Sequence, residues 1–343
     1  MKIIIVGSSR NWGLPMIFKR AFCDFGHEVE NFDSWNLYRS NLLTNCKITH
    51  RLFWRFLASS VQKKLIRQIE KDAPELVLIF KGWLIKPSTL RKIKSRFPNV
   101  KIFNLNGDNP FNTWHHGNSN SWIRKSIPLY NCYFIWGKFL IPKLEKAGAK
   151  MVEYLPFGCD PKLHYPVKVT SSEKKFYGSD VSFIGSWDKE REEWVSYLLD
   201  YNLKIWGNHW EKASKKVQDK WTKKEVIGEE YSKVINASKI NLNFIRKQNR
   251  TAHNMRTFEI PACGGFMLSN RTPEQKEFFE EGKEAAYFDS PKELKEKIDY
   301  YLSHPKQRRK IAEEGYKKAT NYEYSYKARA EKVLEIYNSI KQT

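Results

Sequence analysis

At 343 residues, 41% of them apolar and 15% aromatic, the chain is long enough for two packed cores and too hydrophobic to be disordered. Its formal net charge is +22, and residues 1–160 hold 25 Lys and Arg against 11 Asp and Glu, leaving 35 against 27 for the rest. That field draws an anionic partner (nucleic acid, an anionic membrane or an anionic substrate), while no apolar run nears the roughly 20 residues of a membrane span.

The first half alternates strand and helix signals. Ile3–Val6 is apolar and β-branched and reads as a buried strand, not a signal peptide, so a cytoplasmic protein is expected. Pro15 opens a helical stretch running to Phe25. Glu75–Phe80 and Lys101–Leu105 read as buried strands, with a helix from Pro87-Ser88 between them. Cys132–Trp136 is a further strand, its helix is stopped by Gly148, and Met151–Leu155 closes the set. Residues 161–180 combine two prolines, three serines and four lysines without periodicity, and read as an interdomain linker. A second set follows: strand Asp180–Ile184, helix Lys189–Tyr201, and strands Leu203–Trp206, Lys239–Phe244 and Gly265–Leu268, with a helix starting at Thr257–Cys263. The tail from Pro291 to Lys341 is almost entirely helical.

The fold class predicted is α/β: two Rossmann-like doubly wound domains, residues 1–160 and 181–320, facing a cleft. Residues 321–343 are expected to form a helix on the first domain. Ligands in such sheets bind beyond the carboxyl ends of the strands. Five scattered cysteines (Cys23, Cys46, Cys132, Cys159, Cys263) suit reduced thiols better than disulfides or zinc.

The richest segment lies between Ile240 and Leu268. A strand leads into a loop holding Arg246, Lys247, Arg250, Asn254 and Arg256, and a helix begins near Thr257. Unsatisfied helix N–H groups and these cations together suit a diphosphate. Glu259, one turn into the helix, can accept bonds from two vicinal ribose hydroxyls. A solvated basic loop with a helix-start glutamate accounts for the same residues.

The run Arg256-Thr257-Phe258-Glu259-Ile260-Pro261-Ala262-Cys263-Gly264-Gly265 resembles the signature of GT-B glycosyltransferases, specifically the spore-protein CgeB-like group. These are similar to a large retaining family with a Glu-x7-Glu motif, whose second glutamate binds the nucleotide ribose. Glu259 matches it, and the first glutamate's position is occupied by Thr251. The resemblance extends through DVSFIGSWDKER at 180–191, YSKVINASKINLN at 231–243 and FFEEGKEAAYF at 278–288, and upstream through LNGDNP and YLPFGCDP. It implies an EC 2.4 hexosyltransferase-type enzyme using a nucleotide-diphosphate sugar, with no cofactor and no divalent metal. Gly185 and Ser186 would let the backbone approach a phosphate or base, and Arg191 would reach a phosphate, though Arg191 also reads as a solvated helix residue.

Gly7 and Gly13 bracket a Gly-x5-Gly loop after the first strand, read as a cleft wall made by a tight turn. Asp108, in Asn106-Gly107-Asp108-Asn109-Pro110, is the first candidate for the catalytic base, with His115 and then His116 next, while the same five residues also spell an Asx turn. Phe53, Leu57, Val61, Leu65 and Ile69 form an apolar stripe on a basic helix. That helix packs on the sheet or meets an anionic membrane or lipid-linked acceptor at the inner face. A glycan or a protein is the other acceptor expected. No nucleic-acid-binding signature is present, so no nucleic acid is expected. A basic nucleic-acid-binding protein and a catalytically inactive GT-B scaffold are the alternatives, and a nicotinamide oxidoreductase lacks its glycine fingerprint.

Overall fold

The computed structural model describes residues 1–40, 54–112, 119–249 and 251–342. The chain divides into two compact units, Met1–Pro156 with Tyr326–Thr343, and Phe157–Ser325.

The first unit is built on strands β1 (Lys2–Val6), β2 (Glu28–Phe32), β3 (Leu76–Phe80), β4 (Lys101–Asn106), β5 (Cys132–Ile135) and β6 (Val152–Tyr154). All neighbours run parallel in the order β2-β1-β3-β4-β5-β6. The central strands are nearly continuous apolar runs because helices cover both faces. The sequence reading passed over β2. It is an edge strand, EVENF, with only Val29 and Phe32 buried, so it carries no hydrophobic run. The helix Tyr326–Gln342 completes this unit, packing on the helix Leu14–Asp24, where Phe18 meets Tyr326 with ring centroids 6.0 Å apart. The helix Ser59–Asp72 turns Val61, Leu65 and Ile69 into the core and leaves Lys63, Lys64 and Arg67 outside. Its apolar stripe is therefore spent on packing; Phe53 lies outside the described residues.

The second unit holds β7 (Val181–Ile184), β8 (Leu203–Trp206), β9 (Ile240–Asn243), β10 (Met267–Asn270) and β11 (Ala286–Phe288), all parallel, in the order β11-β10-β9-β7-β8. The segment 161–180, read as a linker, belongs to this unit. It carries the helix Ser171–Tyr177, started by a capping box between Thr170 and Glu173. Val167 N–H donates to Asn236 Oδ1 at 2.7 Å, and Tyr177 stacks on Trp206 at 5.7 Å. The helix escaped the sequence because Tyr177 is its one buried residue, leaving no apolar period. The helical tail is three helices, Pro291–Ser303, Pro305–Ala319 and Tyr326–Gln342. Pro305 cannot continue the first and opens the second. No described helix is long and apolar enough to cross a membrane.

Candidate functional site

Each unit repeats the doubly wound order in which the sheet grows in opposite directions from its first strand. The crevice in such a sheet opens beyond the carboxyl ends of the two strands flanking that reversal. In the second unit these are β7 and β9.

Beyond β7 the chain makes a tight passage. A Cβ at Gly185 would come within 2.9 Å of the Phe183 ring and 3.4 Å of Arg191 Nη1, so only glycine fits without displacing that ring. Ser186 is exposed, and its carbonyl accepts from Arg191 Nη1 at 2.7 Å. Asp188 caps the next helix through Arg191 N–H at 3.0 Å, and its other oxygen accepts from Arg246 Nε at 2.8 Å. Arg191 Nε lies 3.5 Å from that same oxygen. One carboxylate thus serves two guanidinium groups, and Arg256 lies close enough to be felt by Arg191 as a third. Burial above all, then repulsion from Arg246, draws the Arg191 guanidinium down to about 9. Arg256 Nε is buried and makes no hydrogen bond. Three guanidinium groups thus gather beyond β7, with Asp188 and Glu190 the carboxylates that act on Arg191. Arg191 is therefore not the solvated helix residue that its Glu-rich neighbourhood also allowed.

The helix Arg256–Ala262 contributes differently from expectation. Its early N–H groups are used within the chain: Thr257 N–H donates to Asn254 Oδ1 at 3.2 Å, Phe258 N–H and Glu259 N–H to Met255 O at 3.0 and 3.1 Å. Those amides are therefore not open to a ligand, and the cationic side chains of the loop are the groups left to meet one. Thr257 is fully buried, its hydroxyl donating to Gln275 Oε1 at 3.0 Å, so it braces the loop from beneath and touches no surface. Asn254 is used at both ends, accepting from Thr257 N–H and donating to Asn243 Oδ1 at 2.8 Å. With Ser269 and Gln275 these side chains form a polar network under the basic loop, to which Asn254 ties the loop. Arg250 lies outside the described residues.

Glu259 is 7% exposed. His164 Nδ1 accepts from Asp160 N–H at 3.1 Å, which leaves its proton on Nε2, 3.7 Å from Glu259 Oε1. Burial, and then Glu259, push the Tyr231 hydroxyl well above its usual range. Neither His164 nor Tyr231 was legible as a partner of Glu259, since 95 and 28 positions separate them in the chain.

In the first unit the reversal lies between β1 and β3. Gly7 ends β1 where a Cβ would strike Pro15 Cγ at 2.5 Å, and Gly13 N–H closes the loop on Arg10 O at 2.8 Å. Asp33 fastens this loop: it accepts from Ser9 N–H at 2.9 Å and from the Ser9 hydroxyl, and caps the helix Ser34–Arg39 through Trp35 N–H and Asn36 N–H. Burial opposes ionisation of Asp33, but the Ser9, Asn36 and Trp35 bonds outweigh it and hold the carboxyl below its ordinary range. Its contribution to stability is present above that ordinary range and is lost as pH falls through the lowered folded value. Asp33→Ala is expected to cost about 1–2 kcal/mol at neutral pH, with the gap to wild type closing in acid, measured by urea unfolding at both pH values.

Lys81 follows β3 with φ of 62°, and its Nζ meets Asp108 Oδ2 at 2.8 Å. Asp108 N–H also donates to Asn106 Oδ1 at 3.0 Å, so the Asx turn and the strand-end carboxylate coexist in one residue. His115 and His116 lie outside the described residues. Among the described residues no group of three or more His, Cys, Asp or Glu side chains is placed to hold a metal ion.

Comparison with known proteins bears on the fold. Residues 184–335 match the family model described as glycosyl transferase-like. Sucrose-phosphate synthase of Thermosynechococcus elongatus superposes with a TM-score of 0.72 at 14% identity, over 99% of each chain. The chain has the GT-B fold. The HepE protein of Anabaena, solved in complex with UDP-glucose, shares this GT-B architecture with a TM-score of 0.67 at 11% identity, over 99% of this chain and 100% of its own. A glycosyltransferase of Rickettsia africae does so with a TM-score of 0.65 at 13% identity, over 99% and 98%. No curated protein matches the chain. The two GT-B sheets are thus the ones built on β1 and β7, and the family match covers Arg191, Arg246, Arg256 and Glu259.

Proposed function

We propose that the protein is a hexosyltransferase-type glycosyltransferase of the CgeB-like group. It moves a sugar from a nucleotide-diphosphate sugar to a hydroxyl of a glycan, lipid-linked or protein acceptor, without a divalent metal. The observation that carries this reading is the trio Arg191, Arg246 and Arg256 beside Glu259, at the reversal point of the second sheet of a GT-B fold. The guanidinium groups receive the diphosphate and Glu259 the ribose hydroxyls. In the transfer the bond from the anomeric carbon to the diphosphate oxygen breaks and one to the acceptor oxygen forms. The acceptor proton passes to a base, for which Asp108 is the candidate, and the diphosphate leaves with its charge held by the cations. The lysine paired with Asp108 orients that carboxylate.

The test is a thermal-shift panel of UDP, GDP, ADP, CMP and dTDP, each with and without EDTA. The complex of HepE with UDP-glucose puts UDP first. A ligand at 100 times its dissociation constant stabilises by about 2.7 kcal/mol. A panel in which no nucleotide raises the melting temperature defeats the reading, and a shift abolished by EDTA defeats its metal independence.

A further inference from the structure

The first unit carries a cavity of about 590 Å³ at the carboxyl ends of β1 and β3. Its chemistry comes from six side chains: Arg10, Trp12, Trp35, Arg39, Lys81 and Trp83. The Arg10 guanidinium lies over the Trp12 ring at 5.3 Å and Arg39 over Trp35 at 5.1 Å. Trp83 meets Trp35 edge-on at 5.6 Å and stacks on Trp54 at 4.9 Å, so the wall behind the cavity is rigid aromatic structure. Trp12 stands 40% exposed. Among the described residues Arg10 pairs with no carboxylate, while Lys81 is matched by Asp108.

The exposed indole with a guanidinium over it offers two complementary faces. The indoles offer flat apolar walls to the C–H face of a pyranose ring. The guanidinium offers a fork that fits phosphate or carboxylate oxygens. A neutral glycan would use the walls and leave the cation idle. A bare anion would use the cation and leave three indoles idle. Asp33 and Gly7 hold the loop bearing Arg10 and Trp12 in place before any ligand arrives, which lowers the ordering cost of binding.

We infer that this crevice binds the acceptor as an anionic saccharide, a sugar ring bearing a phosphate or carboxylate group. The word acceptor rests on the glycosyltransferase reading; the ligand class rests on the six side chains alone. The excess of cations in residues 1–160 adds a field of the right sign around the cavity.

The experiment is calorimetry on the full chain with five probes. A hexose 6-phosphate and a hexuronic acid are the anionic sugars, methyl glucoside the neutral ring, inorganic phosphate the bare anion, and UDP the control for the other unit. At least one anionic sugar is expected to bind about 10-fold or more tightly than both methyl glucoside and phosphate, a difference of about 1.4 kcal/mol. Arg10→Ala and Trp12→Ala should each weaken it by roughly 5-fold or more and leave UDP binding unchanged. Both side chains are exposed, and an unshifted melting temperature confirms that the variants fold. Equal binding of the neutral ring or of phosphate alone, no binding by either anionic sugar, or unchanged binding in both variants overturns the inference. Failure of UDP and of every other nucleotide of the panel to bind, with the sugar results as expected, sinks the glycosyltransferase reading and not the ligand class of this crevice.

Discussion

Glu259→Ala lowers affinity for the preferred nucleoside diphosphate by about 10- to 150-fold, the equivalent of the roughly 1.5–3 kcal/mol carried by hydrogen bonds to a charged group. The size follows from where the carboxylate sits. It is 7% exposed, so little water competes for its oxygens. Its surroundings favour it as an acceptor: His164 presents a proton at 3.7 Å, and Arg256 stands one turn earlier on the same helix. Two vicinal ribose hydroxyls would add further donors to the Tyr231 hydroxyl and His164 that flank it. Glu259→Gln keeps the volume and one acceptor oxygen, and should lose less affinity than alanine. Both variants are expected to melt within a few degrees of wild type. Titration of UDP, or of whichever nucleotide the panel selects, is the measurement, and an unchanged dissociation constant in Glu259→Ala removes the ribose role.

Much of this architecture is legible in the chain before any coordinates. Ile3–Val6, Leu76–Phe80 and Val181–Ile184 are buried on both faces, so their apolar runs announce parallel strands directly. Edges and surface pieces are not announced. β2 alternates Glu with apolar residues at a sheet edge, and the helix Ser171–Tyr177 buries a single side chain. The candidate site was legible in the same uneven way. Glu259 and the loop cations stand out because they fall in one short stretch, 246–259. Their partners Asp188, His164 and Tyr231 are distant in sequence and become neighbours only when β7 pairs with β9 and the helices close over them. Thr257 misled, because a hydroxyl at a helix start looks like a ligand for phosphate and here is spent on Gln275. Which N–H groups remain open at a helix start depends on the cap, and Asn254 fills that role from outside the helix.

Arg191→Met should give a protein at least as stable as wild type that binds nucleoside diphosphate about 10-fold or more weakly. Stability and function part company here because the guanidinium is held against its own preference. Burial comes first and the neighbouring Arg246 second in drawing it down to about 9, while Asp188 divides its charge between the two arginines. A cation at pH 7 in that setting is a cost to the empty fold, and a bound anion repays it. Methionine keeps the apolar stem against Phe183, which the guanidinium covers at 5.5 Å, and removes the charge. The bond to Ser186 O is lost, which offsets part of the gain. The sign with pH is definite. The folded value lies below the unfolded one, so the unfolded state binds more protons above about 9 and wild-type stability recovers as pH rises through that value. Methionine has nothing to recover, so any advantage of the variant at pH 7 narrows in alkali. Melting curves at pH 7 and in the alkaline range, with nucleotide titrations alongside, separate the two effects. A fall in the melting temperature of more than about 4 °C at pH 7, roughly 1 kcal/mol or more for a unit of this size, would show that Arg191 is there to hold the fold together. Unaltered nucleotide affinity would show that the excess charge at the end of β7 serves some anion other than a diphosphate.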